Sequence, residues 1–394
     1  MSLEKVSVLF YYPDFAPFHR ARLMASQRRL KCSHLSLAPK SQVYDWPESM
    51  DESDVHYLFP EGEGPPLKKF LSVFSLFPKV LFTLKKLKPD FIFINSYWPF
   101  DTILLLWVSY FLRIKRVLML DSHLKSSTRK RDNLKELYKK FALKYYDAYF
   151  VAGQATREYL LSLGVCDEKI FLGFDVVDNE HFEKSDSSIA VAFPVEYFLF
   201  VGRFVEKKNL FVLLNGFKTY REKTASVKPL VFVGYGPLKQ VLIGAALDLG
   251  LRVYDEESKN RFDPNDYDIF FYSGKFYHEL PAIYRNAVAL FLISKTEEWG
   301  LVINEAMASG CPVVVSEQLG CVPDLVDFSG EETKAGLIVR SDSVEDVAKS
   351  MLLISTDSRL RKQLIQRGRD RVASFDPESF AKIVEKIVLS HSVK

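Results

Sequence analysis

Short apolar runs alternate with helical patterns along most of the chain. KVSVLFYY (5–12), DFIFIN (90–95), RVLML (116–120) and AYFVAG (148–153) read as strands: short, β-rich and set between helical stretches. Between them, PFHRARLMASQRRL (17–30), DTILLLWVSYFLRI (101–114), DNLKELYKKFALKYY (132–146) and TREYLLSLG (156–164) have helical character. In 132–146, Leu134, Leu137, Tyr138, Phe141, Ala142 and Tyr145 share one face, the one expected to meet a core. The segment 101–114 is expected to be a buried helix, and FLSVFSLF (70–77) and FALKYYDAYF (141–150) mostly core.

The alternation restarts near residue 197. YFLFVGR (197–203), PLVFVGYG (229–236), FFYSGKF (270–276), VALFLIS (288–294) and PVVVS (312–316) are strands. NLFVLLNGFKTYRE (209–222), ELPAIYRNA (279–287) and VINEAMASG (302–310) are helices, and PESFAKIVEKIVLS (377–390) is an amphipathic one. This alternation predicts an α/β fold with parallel sheets, most economically two Rossmann-like units in tandem. EKSDSSIAVAFPVE (183–196) is polar, then Pro-containing and aperiodic, and is the candidate boundary. The expected division is 1–188, 189–376 and a closing helix in 377–394.

A length of 394 residues agrees with two or three domains, and 32 Phe with 19 Tyr supply ample core material. A formal charge of +3 is too balanced for a general nucleic-acid binder, so no nucleic acid is expected as partner. Cys32, Cys166, Cys311 and Cys321 form no C-x-x-C, which fits a reduced compartment with the thiols as packing residues, Cys321 near a cleft edge. The opening MSLEKVSVLFYYPDF predicts no signal peptide, and the apolar run ILLLWV (103–108) falls short of the ~20 residues a membrane span needs. Charge is uneven, however. From 113 to 144 there are eleven Lys/Arg against three acids, and LKKFLSVFSLFPKVLFTLKKLK (67–88) is basic and apolar around Pro78. A solvated face is one reading; a patch for anionic lipid headgroups is the other.

Open α/β sheets bind ligands beyond the carboxyl ends of their strands. In the second half such ends carry Gly202, Arg203 and, five residues on, Lys208; the turn GYGP with Gly234 and Gly236; SGKF (273–276); and KTEEWGL (295–301). Arg and Lys can neutralise a diphosphate, amides at a helix start favour phosphate oxygens, and carboxylates accept hydrogen bonds from sugar hydroxyls. Glu297 and Glu305 stand eight residues apart, Glu305 in what reads as the first turn of a helix. One can hold a hexose and the other a ribose.

The order and spacing of GR-(x)4-K, G-x-G-P and Glu-(x)7-Glu resemble the nucleotide-sugar domain of family 4 glycosyltransferases. EWGLVINEAMASGCPVVVSEQLGCVPDLV, VGRFVEKKN and IFLGFDVVDNEHF (170–182) are similar to a bacterial subgroup of that family. The resemblance implies the GT-B architecture: two Rossmann-like domains facing across a cleft, with the C-terminal helix returning to the first. It implies Arg203 and Lys208 on the diphosphate, Glu297 on the donor sugar, with Glu298 and Trp299 beside it as further donor-binding residues, Glu305 on the ribose, the backbone at Lys275 and Phe276 near the base, and Gly300 and Leu301 presenting amides. The first half departs from the pattern. Its loop YYPDFAPFHR lacks glycine, and His123 follows Asp121 and Ser122 instead of following the strand directly, so all three form the candidate cluster. Phe18, His19 and Arg20 are candidates on the acceptor side.

The function so implied is retaining transfer of a hexosyl group from a nucleoside-diphosphate sugar, UDP first and GDP second, to a glycan or lipid-linked acceptor. No cofactor is expected. Nor is a metal, since no Asp-x-Asp stands near a strand end of the second half. The expected setting is a cytoplasmic monomer in cell-surface polysaccharide or glycoconjugate synthesis, with peripheral membrane contact. A nucleotide-sugar epimerase of the same architecture and a non-catalytic sugar-binding protein are the alternatives.

Overall fold

The apolar runs assemble into two parallel sheets in a computed structural model describing residues 6–39, 54–60, 72–98, 100–126, 133–184, 193–258, 263–274, 277–327 and 334–392. The chain divides into two units, Met1–Leu124 with Arg129–Val177 and Asp376–Lys394, and Lys125–Thr128 with Asp178–Phe375. The first unit contains strands β1 (Ser7–Tyr11), β2 (Lys31–Ser36), β3 (Val55–Tyr57), β4 (Phe91–Asn95), β5 (Lys115–Leu120), β6 (Ala148–Val151) and β7 (Ile170–Leu172), in the order β3-β2-β1-β4-β5-β6-β7. The second contains β8 (Tyr197–Val201), β9 (Leu230–Val233), β10 (Val253–Asp255), β11 (Ile269–Tyr272), β12 (Ala287–Leu292), β13 (Val313–Ser316) and β14 (Leu337–Val339), in the order β10-β11-β9-β8-β12-β13-β14.

Strands such as YFLFV and AVALFL are apolar throughout because helices cover both faces of a parallel sheet. Side chains of a strand alternate between those faces. Thus Leu9 and Tyr11 of β1 join Ile92, Leu118 and Val151 in a core beneath the helices 72–87, 100–111, 133–143 and 154–162. Phe10 faces the other way, 5.1 Å from Phe93 and 5.8 Å from Phe380 of the helix Pro377–Ser392. That last helix packs on Pro17–Gln27, where Arg29 reaches both Glu378 and, at 2.7 Å, Glu385. Helix 377–392 is therefore part of the first unit although it follows the second in sequence.

Several expectations need correction. Helix 133–143 buries Ala142 and Leu143 but leaves Leu137 and Phe141 exposed, so the face read as core-facing is partly the outer one; Leu134 lies among side chains outside the described ones. Phe74, Phe77, Tyr110 and Phe111 are likewise exposed instead of core. Pro78 does not interrupt its segment but sits inside the helix Ser72–Leu87. Cys321 is fully buried rather than at an edge, while Cys166 is exposed. The chain enters the second unit after Val177, ahead of the 183–196 stretch, because Asp178 caps a short helix, Asn179–Glu183, whose Asn179 donates to the Val372 carbonyl at 2.9 Å. Strands β2, β3, β10 and β14 and the helices 72–87, 239–248, 344–356 and 358–372 carried no clear reading in the sequence.

Candidate active site

In the second sheet the chain runs from β8 to β9 and out to the edge strand β10, comes back to β11 between them, then crosses to β12 on the other side of β8. The carboxyl ends of β8 and β12 therefore flank the point where strand order reverses, the place where doubly wound sheets bind ligands. The loop after β8 closes as a 3-10 turn, Glu206–Lys208, and ends at Asn209, whose left-handed backbone (φ 60°) starts the helix Leu210–Lys223. The loop after β12 carries Ser294 to Glu298, and the two are stitched together by Lys295 N–H donating to the Lys207 carbonyl at 2.8 Å.

This juxtaposition brings two lysines onto two glutamates. Lys208 pairs directly with Glu297 Oε2, Lys207 Nζ lies 3.5 Å from Glu297 Oε1 and 2.9 Å from Glu298 Oε2, and Ser294 Oγ donates to Glu297 Oε2 at 3.2 Å. Both Lys208 and Glu297 are buried. Burial works against the charged carboxylate of Glu297, but the charges of Lys208 and Lys207, with hydrogen bonds from Lys208 and Ser294, outweigh it and hold the carboxyl below its ordinary range. Burial also disfavours the Lys207 ammonium, and Glu297 with Glu298 more than compensates, raising it.

Gly234 and Gly236 have φ of 148° and 151°, and a Cβ at Gly234 would stand 2.0 Å from the Gly202 carbonyl oxygen. The GYGP turn thus lies directly on the backbone of the Gly202–Phe204 loop, where Phe204 N–H donates to the Tyr235 carbonyl at 2.7 Å. Only glycine permits that approach, and it fixes the half-buried Arg203 on the same loop. Gly300 (φ 100°) is the N-cap of the helix Leu301–Ala308. Glu305 lies in that helix's second turn rather than its first, since the helix begins at Leu301. Burial pushes the Glu305 carboxyl up to about 7, against a 2.6 Å hydrogen bond from the Tyr284 hydroxyl. The Trp299 indole turns inward, buried, and donates to Asn304 Oδ1 at 3.0 Å, which leaves its backbone for any ligand contact. Lys275 and Phe276 lie outside the described residues; Ser273 just before them donates through both N–H and Oγ to Glu256 Oε2 at 2.9 and 2.8 Å.

In the first unit, order reverses between β1 and β4. Beyond β1, His19 at the start of the helix Pro17–Gln27 accepts from Ala16 N–H on Nδ1 at 3.1 Å and stacks on Tyr12 at 3.8 Å. Burial, then the charges of Arg22 and His34, push its imidazole well below the usual value, so the ring is neutral with its proton on Nε2. Phe18 and Arg20 flank it, half-buried. Beyond β5, Asp121 and Ser122 are half-buried and His123 is buried, and the Asp121 carbonyl accepts from Thr156 Oγ1 at 2.9 Å.

Residues 183–371 match the family model of glycosyl transferases group 1, and residues 19–176 that of glycosyltransferase family 4. The two models together cover most of the chain, and its fold is the GT-B fold of glycosyltransferases. Sucrose-phosphate synthase from Thermosynechococcus elongatus superposes with a TM-score of 0.73 at 17% identity, covering 98% of this chain and 99% of that one. HepE of Anabaena, in complex with UDP and glucose, gives 0.71 at 14% identity over 98% of this chain and 100% of that one. Sulfoquinovosyl transferase SQD2 of Arabidopsis thaliana is 30% identical over 98 residues, which span 25% of this chain and 19% of that relative.

Sequence reasoning missed three residues that contact Glu297, Glu298 and Glu305. Lys207 carried a signal, being next to Lys208 in EKKN on a turn too short to separate them. Tyr284 carried none, because it meets Glu305 across 21 residues of sequence, and Ser294, three residues before Glu297 in the same loop, reads in the sequence only as the end of its strand.

Proposed function

We propose that the chain transfers a hexosyl group from a nucleoside-diphosphate sugar, UDP-linked in first place and GDP-linked in second, to a hydroxyl of a glycan or lipid-linked acceptor with retention at the anomeric carbon. The observation that carries this reading is Glu297, an ionised, buried carboxylate clamped by Lys207 and Lys208 at the strand-order reversal of the second sheet. A fixed carboxylate orients sugar hydroxyls, and cations beside it neutralise charge on a departing diphosphate. Arg203 and Lys208 take the diphosphate, the amides at Gly300 and Leu301 add partial positive charge, and Glu305 accepts from the ribose diol. The departing phosphate takes the acceptor proton on the same face of the sugar, and no divalent ion is required. On the acceptor side, Asp121, His123, Phe18, His19 and Arg20 are the residues of this reading. The setting is cytoplasmic synthesis of bacterial surface polysaccharide or glycoconjugate, with the enzyme a monomer at the inner face of the membrane.

The test is a thermal-shift screen of nucleotide sugars followed by transfer assays with the donor that stabilises the fold. Arg203→Ala should lower kcat by about 100-fold or more, because developing phosphate charge loses its cation. Turnover within twofold of wild type, an inverted anomeric signal in the product, or activity abolished by EDTA and restored by Mn²⁺ would each contradict a stated part of the reading.

A further inference from the structure

The helix Ser72–Leu87 has two apolar sides. Leu76, Val80 and Leu84, four residues apart, are buried in the first unit's core. Phe74, Pro78 and Phe82 have the same spacing half a turn away, and Phe74 and Phe82 are 72% and 69% exposed, with Phe77 exposed beside them. The exposed aromatics do not stop at this helix. It packs on Phe100–Phe111, which ends in exposed Tyr110 and in Phe111 at 78% exposure. Trp107 of that helix lies 5.9 Å from the exposed Phe141 and 4.7 Å from Tyr145. Soluble surfaces do not carry large apolar patches without a use.

On the helices 72–87 and 100–111 every exposed charge is positive. Lys79, Lys85, Lys86 and Lys88 are exposed, and the span 72–88 contains no acid. The helix 100–111 has a single acid, Asp101, and it is fully buried. Lys140 and Lys144 are exposed on either side of Phe141. We propose that this outer helical face of the first unit, centred on Phe74, Phe77 and Phe82, docks the enzyme on an anionic bilayer surface. Aromatic rings enter the headgroup boundary while lysines snorkel to lipid phosphates. A second copy of the chain fits less well, because pairing this face with itself would set lysines against lysines. Among the described residues no helix is long and apolar enough to span a membrane, so the contact is in-plane. The inference gives the lipid-linked acceptor a physical setting, but docking needs neither donor nor transfer, and its test is separate from the test of the reaction.

The experiment is flotation of the full chain with phosphatidylglycerol–phosphatidylcholine vesicles and with pure phosphatidylcholine, at low and high salt. Binding to the anionic vesicles should be at least about tenfold stronger, and should fall by a similar factor at high salt. The double variant Phe77→Ser/Phe82→Ser should lose about tenfold in partitioning, with little change in Tm because both rings are exposed already. Lys85→Glu/Lys86→Glu should lose binding with the phenylalanines intact. Equal binding of the Phe variant and wild type would overturn the proposal. So would no binding to anionic vesicles at low salt, or a dimer in solution that the Phe variant dissolves.

Discussion

Replacing Lys208 with Met tests whether the cluster at the strand-order reversal is as tightly coupled as its geometry says. Lys208 and Glu297 are both buried, and Lys208 contributes the direct contact to Oε2. Stranding one member of a buried ion pair costs about 3–5 kcal/mol. Here Lys207 remains 3.5 Å from Oε1 and Ser294 3.2 Å from Oε2, so the expected loss lies at or just below the lower end, about 2–3 kcal/mol. The pH dependence carries the sign. In the wild type the Glu297 carboxyl is held below its ordinary range, so the pair's stability is fully present above about pH 4.3, the unfolded value, and is lost as pH falls through the depressed folded value. In Lys208→Met burial outweighs the remaining charge and the carboxyl rises. The variant should then be most destabilised near pH 7.5 and recover part of the loss near pH 5, where Glu297 takes up a proton. Adding Glu297→Gln should restore most of the loss at pH 7.5 and remove its pH dependence.

The assay is urea unfolding of wild type, both single variants and the double. Trp299, the one tryptophan of the second unit, reports it in a background with Trp46, Trp98 and Trp107 changed to Phe. A coupling energy in the double-mutant cycle below about 0.5 kcal/mol would refute the reasoning. So would a Lys208→Met penalty that grows as pH falls.

Three further outcomes follow from the same structure. Because burial sets the Glu305 carboxyl near 7, UDP or donor affinity measured by calorimetry should be highest above pH 7 and fall as pH drops through it, whereas Glu305→Gln should bind about tenfold weaker at pH 8 with a flat profile; a wild-type affinity independent of pH between 6 and 8 would count against Glu305 as ribose acceptor. Gly234→Ala should cost about 3 kcal/mol or more, read as a fall in Tm, since its Cβ would meet the Gly202 carbonyl oxygen at 2.0 Å from a φ of 148°; a Tm within a degree of wild type would mean the loops are not packed as described. In the first unit, Arg22→Met should cost about 2–3 kcal/mol in denaturant unfolding, because it removes the buried contacts of Arg22 to Asp175 and to the Val176 carbonyl at 3.3 and 2.9 Å; Arg22→Met/Asp175→Asn should recover part of it.

Much of the fold was legible because a parallel strand buried on both faces is apolar along its whole length. YFLFV, FIFIN and AVALFL announce themselves without any partner in view. Short edge strands such as VHY and VYD do not, since three residues with at most one buried leave no pattern. The strand-end residues of the second unit were legible as motifs because glycine at a left-handed turn and charged residues just past a strand are local signals. Their partners were not. Nothing in 277–294 says that Tyr284 meets Glu305 or that Ser294 meets Glu297.

The direction an amphipathic helix faces was also beyond the sequence. Helices 72–87 and 133–143 each have apolar residues on more than one side, so periodicity cannot say which side a sheet will claim. Packing on the β1–β4–β5 core claimed Leu76, Val80 and Leu84 in one and Ala142 and Leu143 in the other, which turned Phe74, Phe82 and Phe141 outward. The sequence by itself determined the α/β class, the tandem units and the residue types at the strand ends. Tertiary structure alone decided that Lys207 and Lys208 clamp Glu297, that burial lifts Glu305 to about 7, and that aromatic rings beside lysines are exposed on the first unit. The reason is that local propensity and periodicity act within a few residues, whereas pairing of charges, desolvation and exposure depend on which distant segments the sheet order brings side by side.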